Sequence, residues 1–551
     1  MDIPALVYND VNWRIFTVTA IGFLLVSRVV KLANGLKAVN FLPGIRIPFQ
    51  PLSVMGLILP ESPWNPGLLF TWSWRHTRNL YELYGNDTVS IVPYLSGVPT
   101  LYTQSLDVTR QVVTAGHRSA TFGKVDELNR ALLFWGPSVA STERDMWKKH
   151  RRIVGPAFNN ETYALVWASS QNLYADMLTA EGWDDRNMVD VSSVQALTLK
   201  FSLIIIATCG FGLPYTWVTP PSDGGKITIQ ECLETIARTG VFTIAAPGWA
   251  WKLPFKWIRQ TRRAYDSMRS FIFTQIQERR EALHASSDRE KDVFSRLVEA
   301  NEAEGGKMAL KDDELIGNVF SLLFAGHETT SHTLAATLGF LALHEDIQDE
   351  VAAQVIEVIG EREALFEDYP KLDKVLAAFY EAARMFPSGL FLVREAKQDT
   401  TLTLEVGGVR SVIPIRKGTH VIVDMIGVQY NLKYFTEPDE FRPSRWYAKS
   451  DSDGQGKEDL TESDGVTAFG VGPRACLGRK FSTTEAVCLL SLLLRDWRIE
   501  PLLAPRASAG GAKSSPVLET REEWHARVME ATMGLTLGVK NVPLRFIRRM
   551  G

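Results

Sequence analysis

Cysteine is scarce, with 4 residues in a chain of 551. So few cannot staple a fold of this size, which excludes a secreted disulfide framework and places the bulk of the chain in a reducing compartment. Excess charge of one sign is lacking too. Lys and Arg total 60 against 63 Asp and Glu, a net charge of −3, which argues against the strongly basic surface of a nucleic-acid binder. No solenoid-type repeat is present. With 45% hydrophobic and 22% charged residues, wholesale disorder is also excluded. The length leaves room for about three or four average domains, or one unusually large one.

Only one uncharged apolar run stands near the start. Residues 15–27 carry no charge, are flanked by Arg14 and Arg28, and continue apolar through Val29, Val30 and Leu32. Those 13 residues are short of the roughly 20 a span wants, but the flanking arginines can snorkel. A cleaved signal peptide wants a basic start, whereas residues 1–12 hold two acids, Asp2 and Asp10, and no Lys or Arg. A buried helix is the competing reading. Arg28, Lys31, Lys37 and Arg46 follow the run and only Arg14 precedes it, so the positive-inside rule puts the remainder on the cytoplasmic side. Leu42-Pro43-Gly44-Ile45-Arg46-Ile47-Pro48 reads as a stiff hinge.

Helical patterns dominate from about residue 105 onward, and strand-like alternation is confined to short stretches such as 401–407 and 419–424. Polar insertions at 449–464 and 506–515 read as surface loops. The expected fold class is therefore mainly α with a minor β component.

Residues 312–344 lack proline and open on Asp312, Asp313 and Glu314, where acids favour the helix dipole. The centre of this stretch, Val319 to Gly326, is apolar on nearly every face, so the helix should be buried and run about 50 Å. Inside it stand His327-Glu328-Thr329-Thr330, polar groups that need partners or a purpose. Thr329 can bond back to the Ala325 carbonyl and open the helix locally, Ala325 and Gly326 leave room for a small ligand, and Glu328 is a candidate proton donor. A kinked core helix with a capped hydroxyl remains the plain reading. Further on, Glu381 and Arg384 share a helix face at i and i+3. Their aromatic neighbours suggest burial, which demands more hydrogen bonds; Phe441-Arg442-Pro443-Ser444-Arg445-Trp446 offers a second guanidinium.

The loop Phe469-Gly470-Val471-Gly472-Pro473-Arg474-Ala475-Cys476-Leu477-Gly478-Arg479 carries the strongest signal. Its glycines and proline specify a tight backbone, and a helical pattern over 480–497 follows. Cys476 thus sits at a helix start, where the dipole and the amides of Leu477 and Gly478 favour a thiolate. Zinc and iron–sulfur sites fail, since the next cysteine is Cys488 and no His lies nearby. A G-x-G-x-x-A dinucleotide match is spoiled by Pro473 and Arg474. A single thiolate aimed at an apolar helix with a small-residue gap suits axial ligation of haem iron, and a structural cysteine is the alternative.

Taken in order, the hinge, Trp147-Lys148-Lys149-His150-Arg151, Ala325 to Thr330, Glu381-Ala382-Ala383-Arg384, 441–446 and 469–478 make the sequence resemble a cytochrome P450, a haem-thiolate monooxygenase of the eukaryotic, membrane-anchored, fungal-like type, over nearly all of residues 40–548. The resemblance implies a single large fold preceded by a transmembrane helix, divided into a lumenal N-terminus (1–12), a signal anchor (13–32), a Pro-rich hinge (33–52) and a catalytic domain (53–551), in the endoplasmic reticulum membrane. It implies Cys476 as iron ligand of haem b and Glu381, Arg384 and Arg445 as a structural triad. Trp147, Arg151, Arg394 and Arg474 would contact the propionates. Phe469, Gly470, Ala325 and Gly326 would flank the cofactor, and Thr329 would serve oxygen activation with Glu328 in the proton path. Thr330 is a weaker candidate. Ser444 departs from the family, which often has an acid there.

The implied reaction takes O2 and two electrons from NADPH through a separate NADPH–cytochrome P450 reductase, and oxygenates a lipophilic small molecule, a terpenoid or other secondary metabolite. Lys148, Lys149, Arg151 and Arg152 are expected to help dock that reductase, with a solvated helix face as the alternative for the two lysines. The aromatic stretch 245–257 is expected to cap the substrate entrance at the bilayer, with a packed core loop as the alternative, and residues 122–138, including Phe134 and Trp135, are expected to wall the distal pocket. The alternative chemistry is that of a haem-thiolate isomerase or dehydratase that acts on peroxides without O2 or reductase.

Overall fold

The computed structural model describes residues 5–60, 62, 65, 72, 80–118, 121–213, 215–218, 228–239, 242–243, 246, 248–285, 292–447, 467–506, 518–533 and 536–549. The expected insertion at 449–464, all of the one at 506–515 except Arg506, and Ala245 and Pro247 of the aromatic stretch lie outside these residues. Among the described residues helix accounts for 59% and strand for 15%, so the fold is mainly α with a minor β component. The chain folds as two compact lobes, one from residues 1–125 and 391–428 and the other from 126–390 and 429–551.

The first lobe begins with α1, Ala5–Ala38. Its 26-residue segment Trp13–Ala38 is long and apolar enough to cross a membrane. Phe16, Phe23, Leu25 and Val26 are exposed, an arrangement that water disfavours. The two threonines satisfy themselves within the helix, Thr17 Oγ1 donating to the Trp13 carbonyl at 2.7 Å and Thr19 Oγ1 to that of Ile15 at 2.8 Å. That is what an apolar medium requires of a hydroxyl.

The stretch 33–52, expected as a stiff Pro-rich hinge, contains the end of α1 and a strand. α1 continues to Ala38 and packs on strand β2, Thr88–Ser96. A Cβ on Gly35 would stand 2.5 Å from Val92 Cγ1, so the glycine sets how closely the helix approaches. Gly44–Phe49 then forms strand β1, parallel to β2. Proline is tolerated there because β1 is the edge strand and its register shifts between Ile47 and Phe49, around Pro48. Gly44 has φ +155°, and a Cβ there would lie 1.9 Å from the Ser90 carbonyl oxygen.

Strands β3 (Thr100–Thr103), β4 (Phe122–Gly123), β5 (Phe391–Ala396) and β8 (His420–Asp424) complete a six-stranded sheet in the order β1-β2-β3-β8-β5-β4. Thr400–Val406 and Val409–Ile415 form a separate hairpin, β6–β7. Helix α2, Leu106–Arg118, contributes Val108 and Val112 to a core shared with Val92, Leu101, Leu402, Leu404 and Val421. The alternation read at 401–407 and 419–424 is thus accounted for by β6 and β8.

The second lobe is built on helices α3 (Arg144–Val154), α4 (Asn160–Ala180), α5 (Val194–Ile205), α6 (Asp312–Leu343), α7 (Asp373–Met385) and α8 (Arg479–Asp496). α6 packs against α5 and α7, and α8 against α4 and α7. The acidic start of α6 is used in three ways. Glu314 Oε2 accepts from the Lys311 backbone N–H at 2.8 Å, while Asp312 and Asp313 pair with Arg280 and Arg269 at 2.8 and 2.6 Å. Two strand groups close the lobe: β9 (Trp497–Pro501) pairs with β12 (Leu544–Arg548), and β10 (Ala531–Met533) with β11 (Leu537–Val539).

One carboxyl in this helical core stays protonated. Glu485 on α8 is buried, accepts from Ser202 Oγ of α5 at 2.6 Å, and is pushed up to about 8 by burial. Its ordinary value is about 4.3, so the native state holds a proton that the unfolded chain releases in between. Its contribution to stability is therefore present below about pH 4.3 and is lost as pH rises towards about 8. Glu485→Gln is expected to flatten the fall of the denaturation midpoint from about pH 5 to about pH 8, as measured by urea titration at each pH; an unchanged slope would show that the carboxyl titrates normally.

Candidate active site

The glycine-rich loop closes on itself through backbone bonds. The Cys476 N–H donates to the Phe469 carbonyl at 2.8 Å and that of Ala475 to Gly472 at 3.0 Å. Gly470 and Gly472 adopt φ of +79° and +71°, a region that side-chain-bearing residues avoid. The Cys476 side chain is accessible, but dense surrounding protein pushes its thiol up. Working against that burial are the backbone N–H of Gly478, the charges of Arg479 and Arg151, and the N–H of Arg479. The amides that reach the sulfur are thus those of Gly478 and Arg479, not the expected Leu477. The reason is that α8 begins at Arg479 with Gly478 as its cap, so its first free amides lie one residue later.

Aromatic rings brace this loop. Arg474 stands 4.7 Å over the Trp147 ring, and Arg479 lies 5.6 Å from both Tyr380 and Phe469. Trp147 is buried on α3, and Arg151 follows it by one turn, facing the sulfur electrostatically.

Glu381 on α7 gathers five donors. Arg384 binds it in a fork, Nε to Oε2 and Nη2 to Oε1, both at 2.9 Å. Arg445 Nε and the Arg442 backbone N–H each reach Oε1 at 3.0 Å, and Trp446 Nε1 reaches Oε2 at 2.8 Å. Arg384 extends to the carbonyls of Gln429 at 2.9 Å and Glu440 at 3.3 Å. Arg445 reaches the carbonyls of Thr436 and Glu437. Glu381 and Arg384 are 0% and 1% exposed, so full hydrogen bonding is what makes their burial tolerable. Ser444 makes no difference to Arg445, whose guanidinium bonds run to Glu381 and the 436–437 backbone.

Midway along α6, Leu322, Phe324, Ala325, Gly326, Glu328, Thr329 and His332 are not fully buried; of these Leu322, Ala325, Gly326 and Thr329 share one face by spacing. Thr329 Oγ1 donates to the Ala325 carbonyl at 2.9 Å. The helix nevertheless runs unbroken from Asp312 to Leu343, so the expected local opening does not interrupt it. The side chain of Ile206 packs on that turn: a Cβ on Gly326 would lie 2.9 Å from its Cδ1. Thr330 is buried and bonds Gly326 and Ser482 of α8, at 3.1 and 3.0 Å, which ties helix to helix. Arg394 belongs to the first lobe, on β5 opposite Val421, with Nη1 donating to the Val393 carbonyl at 2.8 Å.

Comparison with known proteins decides what this arrangement is. The cytochrome P450 family model matches residues 74–509. A similar protein is Cytochrome P450 monooxygenase 124 of Postia placenta, 30% identical over 92% of this chain and 94% of its own length. Cytochrome P450 monooxygenase prx9 of Penicillium rubens is 27% identical over 79% of each chain. Cyclooctat-9-en-7-ol 5-monooxygenase of Streptomyces melanosporofaciens is 27% identical over 72% of this chain and 79% of its own. The chain belongs to the cytochrome P450 family. It is accordingly an oxidoreductase of the monooxygenase kind, and the family carries a haem with a cysteine thiolate ligand.

The residues present in this P450 fit that group. Cys476 is the one accessible thiol of the four cysteines, it is backed by two amides and two cations, and the face of α6 that carries Leu322 and Thr329 has the small residues Ala325 and Gly326 between them.

Of the pair expected to wall the pocket, Phe134 is half-exposed and Trp135 is buried. Trp135 is sandwiched between Phe320 of α6 at 3.8 Å and Tyr265 at 5.0 Å, so it braces rather than lines. Phe134 stacks on Trp251 at 5.7 Å, and Trp249, Phe255 and Trp257 are exposed.

The basic run on α3 corrects an expectation. Lys149 is 14% exposed and paired with Glu314 at 2.9 Å, which withdraws it from any docking surface. Lys148 pairs with Asp145 at 3.1 Å and Arg152 with Glu304 at 2.9 Å. Sequence reasoning missed His150 and Asn318, which bond at 2.7 Å and join α3 to α6; nothing local marks so remote a pair. It also passed over His332, although its position one turn after Glu328 was visible.

Proposed function

We propose that this P450 inserts one oxygen atom of O2 into a lipophilic small molecule, and that the Cys476 thiolate would hold the iron of haem b. The observation that carries the reading is an accessible sulfur held on a closed loop and faced by the amides of Gly478 and Arg479. The bound haem supplies O2 binding and activation, to which a thiolate lends electron density. Around it Trp147, Arg151, Arg394 and Arg474 would hold the propionates, with Phe469, Gly470, Ala325 and Gly326 against the ring. Glu381, Arg384 and Arg445 would keep the loop's surroundings rigid.

The chain's own residues then bind, orient and move protons. The apolar accessible face of α6 would seat the substrate and exclude water. The Thr329 hydroxyl, anchored on the Ala325 carbonyl, would order a hydrogen-bonded proton donor, and Glu328 would relay protons from solvent. A relative named for acting on cyclooctat-9-en-7-ol supports a terpenoid or other secondary metabolite as substrate. Electrons would come from NADPH through a separate NADPH–cytochrome P450 reductase. α1 would anchor the protein in the endoplasmic reticulum membrane with the catalytic bulk cytoplasmic, since its basic flank follows the apolar run. In this reading 1–12 is lumenal, 13–32 the anchor and 53–551 the catalytic domain.

Incubation with labelled O2, reductase and a panel of lipophilic compounds tests the reading: one labelled oxygen atom should appear in product, and only with NADPH. Turnover of a hydroperoxide without reductase, with no label incorporated, would overturn it. In the same assay Thr329→Val should lower product about tenfold to a hundredfold and raise peroxide release, measured against oxygen uptake. Unchanged product would remove Thr329 from the proton path.

A further inference from the structure

Glu328 is not a lone acid on its helix. His332 follows it by one turn, its Nε2 standing 3.6 Å from Glu328 Oε1, with the side chains 20% and 13% exposed. That separation is an ion-pair distance rather than a hydrogen bond of normal length. The other ring nitrogen, Nδ1, is buried with no hydrogen-bond partner among the described residues. The reason lies across the lobe: a Cβ on Gly538 of β11 would stand 2.3 Å from Nδ1 and 2.7 Å from Cγ. The backbone of the β10–β11 hairpin therefore presses on the back of the imidazole and fixes where its front points.

Burial alone would raise the Glu328 carboxyl. The hydrogen-bonding influence and charge of His332, the charge of His327 and the Thr536 hydroxyl pull it lower, leaving it below its ordinary value. Thr536, which precedes β11, has no hydrogen-bond partner for its hydroxyl among the described residues. His327 Nδ1 is occupied with the Leu323 carbonyl at 3.3 Å. The groups facing Glu328 are thus two imidazoles from its own helix and one hydroxyl from the hairpin.

We propose that His332 is a positioning residue for oxygen activation: wedged by the Gly538 backbone, it holds the Glu328 carboxylate charged and in a fixed direction next to Thr329. The proposal rests on the reading of Glu328 as the proton-path acid. His332 touches neither substrate nor cofactor in this role; it acts through Glu328. Gly538 is then a glycine for the sake of the imidazole.

The test uses the membrane-reconstituted holoenzyme with the variants His332→Leu, His332→Gln and Gly538→Ala. The first readout is the infrared carboxyl band of Glu328, identified as the band lost in Glu328→Gln, followed against pH in the resting protein without turnover. His332→Leu should shift its appearance to higher pH, as should Gly538→Ala by displacing the ring, and His332→Gln should shift it less because an amide still donates. The second readout is the share of NADPH electrons recovered in product: Leu should lower it about tenfold, and Gln should restore part of the loss. A band that titrates identically in wild type, His332→Leu and Gly538→Ala overturns the proposal. So does equal electron recovery in the Leu and Gln variants, which would mean that the position matters only for packing. Failure of the monooxygenase reading looks different, since wild type itself would then give no labelled product while the infrared comparison remained readable.

Discussion

Replacing Glu381 by glutamine is expected to destabilise the second lobe by about 3–5 kcal/mol, the cost of breaking a buried charge cluster from one side. Two guanidiniums, a backbone N–H and an indole N–H all donate to its two oxygens. An amide presents one oxygen and turns an NH2 group towards donors that cannot accept it. Arg384, 1% exposed, would be left as a buried cation without a counter-charge. The urea midpoint and the yield of haem-loaded protein should both fall steeply in Glu381→Gln. Arg445→Lys removes one contact and leaves the Arg384 fork intact, so it should cost less; equal losses in the two variants would contradict a five-donor hub.

The second large effect is at the sulfur. Cys476→Ser should lower NADPH-dependent product by about a thousandfold or more, about 4 kcal/mol of barrier, because an alcohol at this position stays protonated and donates little charge. The other cysteines provide the control. Cys209, Cys232 and Cys488 are buried, and burial pushes the thiols of Cys209 and Cys232 up to about 12 and about 11. Cys488→Ala should therefore leave the product rate and the cofactor spectrum as they are. Loss of activity in Cys488→Ala equal to that in Cys476→Ser would remove the case for a single reactive thiol.

How much of this was legible in the chain itself follows the range of the interactions. α6 runs Asp312–Leu343, within one residue of its proline-free acidic-headed stretch, because helix start, length and burial are written locally. The Glu381–Arg384 fork was visible as an i,i+3 pair for the same reason. Its remaining donors were only partly visible. Arg445 belonged to a recognisable arginine segment, but the Arg442 backbone N–H and the Trp446 indole are contributed by a turn whose path no local pattern sets. The prolines at 43 and 48 read as stiffness, but no local pattern showed that Pro48 stands at a register shift in an edge strand, where its missing donor is tolerated. Lys149 likewise read as surface charge until α6 brought Glu314 to it. His332 carries the same lesson, for its wedge Gly538 lies far along the chain.

The most direct measurement is the absorbance spectrum of the purified protein, loaded with haem and reduced under carbon monoxide. Thiolate ligation by Cys476 predicts the red-shifted Soret band of sulfur-bound haem in wild type and in Cys488→Ala, and its loss in Cys476→Ser. A wild-type spectrum without that band, or one that Cys476→Ser leaves in place, would contradict the account.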